Sequence, residues 1–95
     1  MHQKETIHKL LNDAAQELLS FIKDSESHFK NEDRWVPAAE IKKNLGLNFI
    51  AVPKSSTQYG EKGWLFATLA RMLEDQLLVE YQKIGTRAFY RSVRA

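Results

Sequence analysis

The chain has 95 residues, which is enough for one compact domain and too few for two. Apolar residues make up 43% and charged residues 27%, a globular composition that excludes a disordered or low-complexity chain. Cysteine is absent, and this excludes a disulfide framework, a thiolate metal site and a cysteine nucleophile. The net charge of +2 is too small by itself to indicate a partner.

The distribution of charge along the chain is more informative than its sum. Residues 1–34 carry five basic and seven acidic side chains, whereas every charged residue after Gln82 is basic. An acidic first part and a basic C-terminal part predict that the fold presents a cationic edge to an anionic partner.

The start of the chain and its uncharged runs bear on its location. The first residues are charged and lack the apolar stretch of a secretory signal. The longest uncharged run, residues 44–53, has ten residues, whereas crossing a bilayer takes about 20 apolar residues. We therefore expect a soluble, cytoplasmic protein with no membrane partner, folded as a single domain over residues 1–95.

The first predicted element is a helix over residues 4–24. Apolar residues recur at helical spacing from Ile7 to Ile22 and form a wide stripe on one face. Two interpretations of the stripe stay open. Either it packs into the core of the domain, or part of it pairs with a second copy of the chain. The second interpretation predicts homodimer contacts at Ile7, Leu11, Leu18 and Ile22.

A polar connector, a short strand and a second helix follow. Trp35 and Val36 are β-prone, and Pro37 directly after them fits the first position of a helix. This helix is predicted over residues 37–45. It ends at Gly46, because glycine readily adopts the left-handed conformation that stops a helix.

The rest of the chain is predicted as a long loop, a third helix and a β-hairpin. The loop covers residues 48–62, and residues 63–77 return to helical spacing. Because leucine resists the left-handed conformation, we expect the chain to leave this helix at Leu77 without a left-handed stop. Residues 78–93 predict the hairpin, since two β-rich runs flank a short glycine turn at Ile84-Gly85.

The predicted order is helix, short strand, helix, loop, helix and hairpin, an α+β fold that is mostly α-helical. Residues 35–46, 69–81 and 85–91 resemble, in turn, the second helix, the recognition helix with its following strand, and the returning wing strand of the winged helix-turn-helix superfamily. The resemblance implies three helices, a short first strand and a C-terminal hairpin, the wing. The chain departs from the superfamily in its long 48–62 loop and in Leu77, where glycine is common.

The resemblance implies binding to duplex DNA, with the third helix in the major groove, the wing on the backbone or in the minor groove, and a role in transcription regulation. The wing chemistry agrees, because Arg87 and Arg91 are four apart on one strand and so share a face. A solvated hairpin edge, charged to discourage edge-to-edge association, is the competing interpretation. The predicted nucleic-acid-binding residues are Lys54, Ser55, Ser56, Thr57, Gln58, Tyr59, Lys62, Arg71, Lys83, Arg87, Arg91 and Arg94.

The alternative function is a winged-helix protein-interaction module that does not bind DNA. Glu74 and Asp75 on the third helix would repel phosphate, and the crowded apolar positions 64–66 offer an anchor for a protein partner. The histidines lack metal-ligand spacing, and no motif places a nucleophile beside a base. The sequence therefore predicts a non-enzymatic protein with no metal site and no cofactor.

Overall fold

The computed structural model describes residues 2–47 and 63–93. This part of the chain has an α+β fold with mostly helical content, which confirms the predicted class. The predicted loop over residues 48–62 lies outside the described residues. The elements, in chain order, are α1 (His2–Ser25), a 3-10 segment (Glu26–Glu32), β1 (Val36–Pro37), α2 (Ala38–Leu45), α3 (Trp64–Asp75), β2 (Val79–Ile84) and β3 (Arg87–Ser92).

Only the second half of α1 packs into the core. Residues 2–10 are all exposed, and the buried side chains of the helix are Ala15, Leu18, Leu19 and Ile22. Leu18 and Ile22 were predicted as homodimer contacts, but both are fully buried inside this chain. Packing within the chain accounts for the burial of these two side chains, and the homodimer stays a prediction. Ile7 remains exposed and Leu11 half-buried.

The connector between α1 and β1 is structured and contains a buried charge. It was predicted as a polar link, yet it forms the 3-10 segment, in which Glu26 is only 3% exposed. The Glu26 carboxylate accepts hydrogen bonds from the backbone N–H of Ser92 and from Nη1 of Arg34, the latter at 3.0 Å. Asp33 and Arg34 both have positive φ and turn the chain into β1.

α2 and α3 both end in a left-handed residue that closes the helix. Gly46 follows α2 with a φ of 65°, and Leu77 follows the C-cap of α3 with a φ of 61°. Beyond α3, the N–H of Leu78 donates to the carbonyl of Leu73 and the N–H of Leu77 donates to the carbonyl of Glu74, both at 2.9 Å, and together these two hydrogen bonds form a Schellman stop. The expectation that Leu77 avoids this conformation is therefore wrong. The hydrogen bonds of the stop outweigh the steric cost of a left-handed leucine.

The three strands form an antiparallel sheet in the order β1-β3-β2. Ile84 pairs with Arg87, so the hairpin closes at Gly85-Thr86, one residue later than predicted. Gly85 has a φ of 62°, which explains why glycine stands at this turn. Pro37, predicted as the first residue of α2, instead ends β1 and serves as the N-cap of α2.

The core lies between the inner face of the sheet and the three helices. Its largest fully buried side chains come from α1, α2, α3 and β1, and they are Leu18, Ile22, Ile41, Leu73 and Val36. One face of each element is therefore committed to a single core, which leaves the hairpin end and the first half of α1 outside it. Within residues 2–47 and 63–93, no helix is both long and apolar enough to cross a membrane.

Candidate nucleic-acid interface

The β2–β3 hairpin carries the basic residues predicted at the wing. Tyr90 and Ser92 of β3 are buried on the inner face of the sheet. Because side chains alternate along a strand, Arg87 and Arg91 share the opposite, outer face. The hairpin thus presents two arginines in one direction, but their surroundings differ.

Arg91 is held by contacts within the chain. Its Nη1 donates to the Asp33 carbonyl oxygen at 2.9 Å, and its Nη2 lies 3.3 Å from the Glu80 carboxylate. The guanidinium also lies 4.1 Å from the centre of the Trp35 ring, within cation–π range. Arg91 is therefore not a free cation, contrary to the expectation from its place in an acid-free run. The neutralising acid stands earlier in the chain, because Glu80 pairs with Arg91 in the hairpin register.

Arg87 and Lys83 are the exposed cations next to the turn. The Arg87 guanidinium lies 5.3 Å from the centre of the Phe89 ring on the same face of β3. Lys83 lies opposite Ala88, one residue pair away from the turn-closing pair. Neither Lys83 nor Arg87 makes an ion pair within the described part of the chain, whereas the other arginines described there, Arg34, Arg71 and Arg91, all do.

A third cation reaches the hairpin from α2. A cleft of about 180 Å³ lies between the start of α2 and the hairpin turn, and both Lys42 and Arg87 line it, together with Thr86. The Lys42 ammonium lies 5.8 Å from the centre of the Phe66 ring, which helps to hold it at this side of the helix. Lys83 does not line this cleft; it pairs with Ala88 near the same turn, on the hairpin face opposite to Arg87. We refer to Lys42 and Arg87 at the cleft, together with Lys83 beside the turn, as the cationic cluster.

Phe66 and Tyr90, the aromatic residues behind the cationic cluster, belong to the core, whereas Tyr81 is exposed. The Phe66 ring meets the Tyr90 ring edge-on at 5.5 Å, and Tyr81 lies 5.2 Å from Tyr90 on the other side. Burial, with smaller contributions from Glu74 and Tyr81, raises the pKa of Tyr90 to about 12. The phenol is therefore neutral at physiological pH, and Tyr90 serves packing here rather than proton transfer.

The outward face of α3 offers fewer free donors than the resemblance implies for a recognition helix. Arg71 is exposed, but its Nε lies 3.3 Å from the carboxylate of Asp75 one turn further on. Thr68 uses its hydroxyl to donate to the Trp64 carbonyl at 3.0 Å. An exposed pair one turn apart contributes only about 0.3–0.5 kcal/mol, so a phosphate is able to replace Asp75 as the partner of Arg71.

The structure brings together only part of the predicted site. Lys83 and Arg87 lie in the cationic cluster, Arg71 lies on α3, and Arg91 is engaged elsewhere. The remaining predicted residues lie outside the described part of the chain, namely Lys54, Ser55, Ser56, Thr57, Gln58, Tyr59, Lys62 and Arg94.

Lys42 was not among the predicted site residues. Its only signal in the sequence is the basic pair Lys42-Lys43 on a short helix, and such a pair also serves solubility. What distinguishes Lys42 from Lys43 is tertiary, since Lys42 is half-buried near Phe66 and lines the cleft with Arg87. Sequence spacing carries no information about that contact.

The chemistry of the cluster is that of an anion site. The Lys42 ammonium, the Arg87 guanidinium and Thr86 are at the cleft, and the described residues that line it include no carboxylate or imidazole. Lys83 adds a second ammonium group beside the turn. The described residues also hold no group of three histidine, aspartate or glutamate side chains able to bind a metal ion. Ammonium and guanidinium groups form charge-assisted hydrogen bonds with phosphate oxygens.

Comparisons with protein-family models, with curated proteins and with solved structures find no match for this chain. The fold and the cationic cluster are therefore the observations that bear on its function.

Proposed function

We propose that the chain is a winged helix-turn-helix domain that binds duplex DNA through the cationic cluster and α3, in a role in transcription regulation. The order of the elements supports this proposal. A short first strand, two helices after it and a C-terminal hairpin in one antiparallel sheet are what the winged-helix resemblance implies. In this arrangement the β2–β3 hairpin is the wing.

The observation that carries the proposal is the pairing of cations. Arg34, Arg71 and Arg91 have carboxylate partners. Lys42 and Arg87 line one cleft, Lys83 lies on β2 beside the same turn, and none of the three makes an ion pair in the described residues. Cations gathered in one region of the surface, with no carboxylate partner in the described residues, attract an anionic partner such as a phosphate backbone. Each phosphate that is neutralised also releases condensed counterions, which drives association at low salt.

The proposal is tested by titrating a labelled mixed-sequence DNA duplex with the protein at several NaCl concentrations. Binding is expected to weaken steeply as salt rises. The double variant Lys83→Glu/Arg87→Glu reverses two charges of the cluster and is expected to abolish binding.

The matched control for that experiment is Lys23→Glu/Lys30→Glu. It makes the same change of net charge at two exposed positions on α1 and the 3-10 segment. The control is expected to keep most of the affinity, since net charge alone contributes only a general attraction. Affinity that survives in the hairpin variant, or falls equally in both variants, would remove the cationic cluster from the proposed site.

One observation favours the second candidate, a winged-helix protein-interaction module without DNA binding. The outward face of α3 carries Glu74 and Asp75 beside Arg71, so it lacks the excess of positive charge that a DNA-reading helix usually has. This candidate predicts no salt-dependent binding to mixed-sequence duplexes, together with co-purification of a protein partner. The same titration therefore separates the two functions.

A further inference from the structure

The first half of α1 carries apolar side chains that are exposed in the described part of the chain. Ile7 is 55% exposed and Leu10 is 61% exposed, and they lie where every residue from 2 to 10 is exposed. A helix that only needed to be soluble here would carry polar residues on all faces. These two side chains lie next to an apolar groove beside the second half of α1.

Next to the second half of α1 lies an apolar groove of about 500 Å³. One wall is α1 itself, through Ala14, Leu18 and Phe21, and the opposite wall includes Leu45, Leu47, Leu65 and Leu69. Ile7, Ala14 and Phe21 are seven residues apart, which is close to two helical turns, so they lie along one line of the helix. The exposed apolar surface therefore continues directly into the groove.

We infer that two copies of the chain pair through α1 in antiparallel orientation, each placing Ile7 and Leu10 in the groove of the other. With Ala14 at the crossing point, Ile7 of one copy is level with Phe21 of the other, and Leu10 is level with Leu18. The small side chain of Ala14 lets the two helices approach closely at the two-fold axis. One symmetric contact then covers both exposed side chains and both grooves.

The charges along α1 select this orientation. Residues 2–12 contain two basic side chains and one acidic side chain, whereas residues 13–25 contain three acidic and one basic. An antiparallel pair places the basic half of each helix beside the acidic half of the other, and brings Lys4 level with Asp24. A parallel pair would set the acidic halves side by side. The occupant of the groove is thus a second copy of this chain, and the inference does not depend on the proposed binding of DNA.

The first test measures the mass of the full chain by sedimentation equilibrium over a concentration series. The expected mass at high concentration is twice the 11.0 kDa of one chain. The variant Ile7→Lys/Leu10→Lys is expected to stay monomeric. Because both residues are exposed, its melting temperature should equal that of the wild type at a concentration low enough for the wild type to be monomeric. The matched control, Asn12→Lys/Gln16→Lys, adds the same charge at exposed positions on the opposite side of α1 and should still dimerise.

Two outcomes would overturn the inference. A wild-type chain that remains monomeric at all concentrations would show that α1 does not pair with a second copy. A dimer that survives Ile7→Lys/Leu10→Lys would place the contact elsewhere on the molecule.

The second test uses the absence of cysteine from the sequence to determine the orientation. Ala14→Cys is expected to form a disulfide-linked dimer under mild oxidation, because the two Ala14 positions meet at the axis. Ile7→Cys is expected to remain unlinked, since antiparallel helices separate the two copies of residue 7 by about 21 Å along the axis. Equal linking of both variants would indicate a parallel pair and contradict the proposed geometry.

Discussion

Glu26 is a buried carboxylate that joins three parts of the fold. It belongs to the 3-10 segment, accepts a hydrogen bond from the backbone of Ser92 at the end of β3, and pairs with Arg34 just before β1. Burial alone would raise the pKa of Glu26. The hydrogen bonds from Ser92 and Arg34 and the positive charge of Arg34 outweigh that effect, and together they lower the pKa below its ordinary value.

We predict that Glu26 makes the stability of the protein depend on pH in the acid range. A carboxyl with a lowered pKa in the folded state stabilises the fold above the ordinary glutamate pKa of about 4.3. That contribution is lost as the pH falls through the lower pKa of the folded state. Glu26→Gln should therefore cost about 2–3 kcal/mol of unfolding free energy at pH 7, where the wild type is fully ionised.

The measurement is urea unfolding of both proteins from pH 7 downwards, at one protein concentration. The wild-type and Glu26→Gln stabilities should converge as the pH falls, because protonation removes from the wild type what the substitution has already removed. Glu32→Gln, at an exposed position on the same segment, is the control and should follow the wild type. Parallel curves for Glu26→Gln and wild type would contradict the assignment of the pH dependence to Glu26.

At the residue scale, the sequence shows which residues are charged but not which partners they meet in the fold. Glu26 was read as part of a polar stretch, and Arg91 as a phosphate ligand. Their partners are distant in the chain, because Glu26 meets Ser92 and Arg91 meets the carbonyl of Asp33. Charge counts along a sequence describe neighbours in the chain, whereas neutralisation depends on neighbours in space.

At the scale of elements, local signals predicted most of the fold. Apolar spacing located the three helices, and Gly46 and Gly85 marked a helix stop and a hairpin turn, because both signals act within a few residues. Leu77 is the instructive failure. Its residue type argues against a left-handed stop, but the hydrogen bonds at the end of α3 and the start of β2 require one. Tertiary context here prevails over local preference.

We predict that Leu77→Gly stabilises the protein by about 0.5–1 kcal/mol. A left-handed conformation costs a residue with a Cβ about 1–2 kcal/mol, and the greater freedom of glycine in the unfolded chain cancels only part of that gain. The leucine side chain is 78% exposed, so its removal sacrifices little packing. Urea unfolding of Leu77→Gly and Leu77→Ala measures the effect, since alanine removes the same side chain but keeps the Cβ. Equal stability of the two variants would mean that the backbone at Leu77 is not strained.

At the scale of the whole molecule, the fold presents two different surfaces. The first half of α1 projects from the core with its apolar stripe, and the cationic cluster forms where α2 meets the hairpin turn. The order of elements was predictable because each is encoded locally. The cluster was not, because Lys42 meets Arg87 only when α2 packs beside the hairpin turn. The candidate site is thus a property of the assembled domain.

Each phosphate contact is expected to contribute separately to the salt dependence of DNA binding. The logarithm of the DNA-binding constant should fall linearly with the logarithm of salt concentration, and each cation in contact with a phosphate contributes about 0.9 to that slope. Lys42→Ala, Lys83→Ala and Arg87→Ala should therefore each reduce the slope of this salt dependence by about 0.9.

Lys43→Ala is the matched control, because Lys43 is the exposed neighbour of Lys42 on α2 and does not line the cleft. A reduction for Lys43→Ala as large as that for Lys42→Ala would mean that DNA senses the general charge of the domain rather than the cationic cluster. The melting temperatures of Lys43→Ala and Lys83→Ala should match the wild type, because neither side chain forms an ion pair in the described residues. Lys42→Ala and Arg87→Ala should lose only about 0.5–1 kcal/mol, the contribution of their cation–π contacts with Phe66 and Phe89.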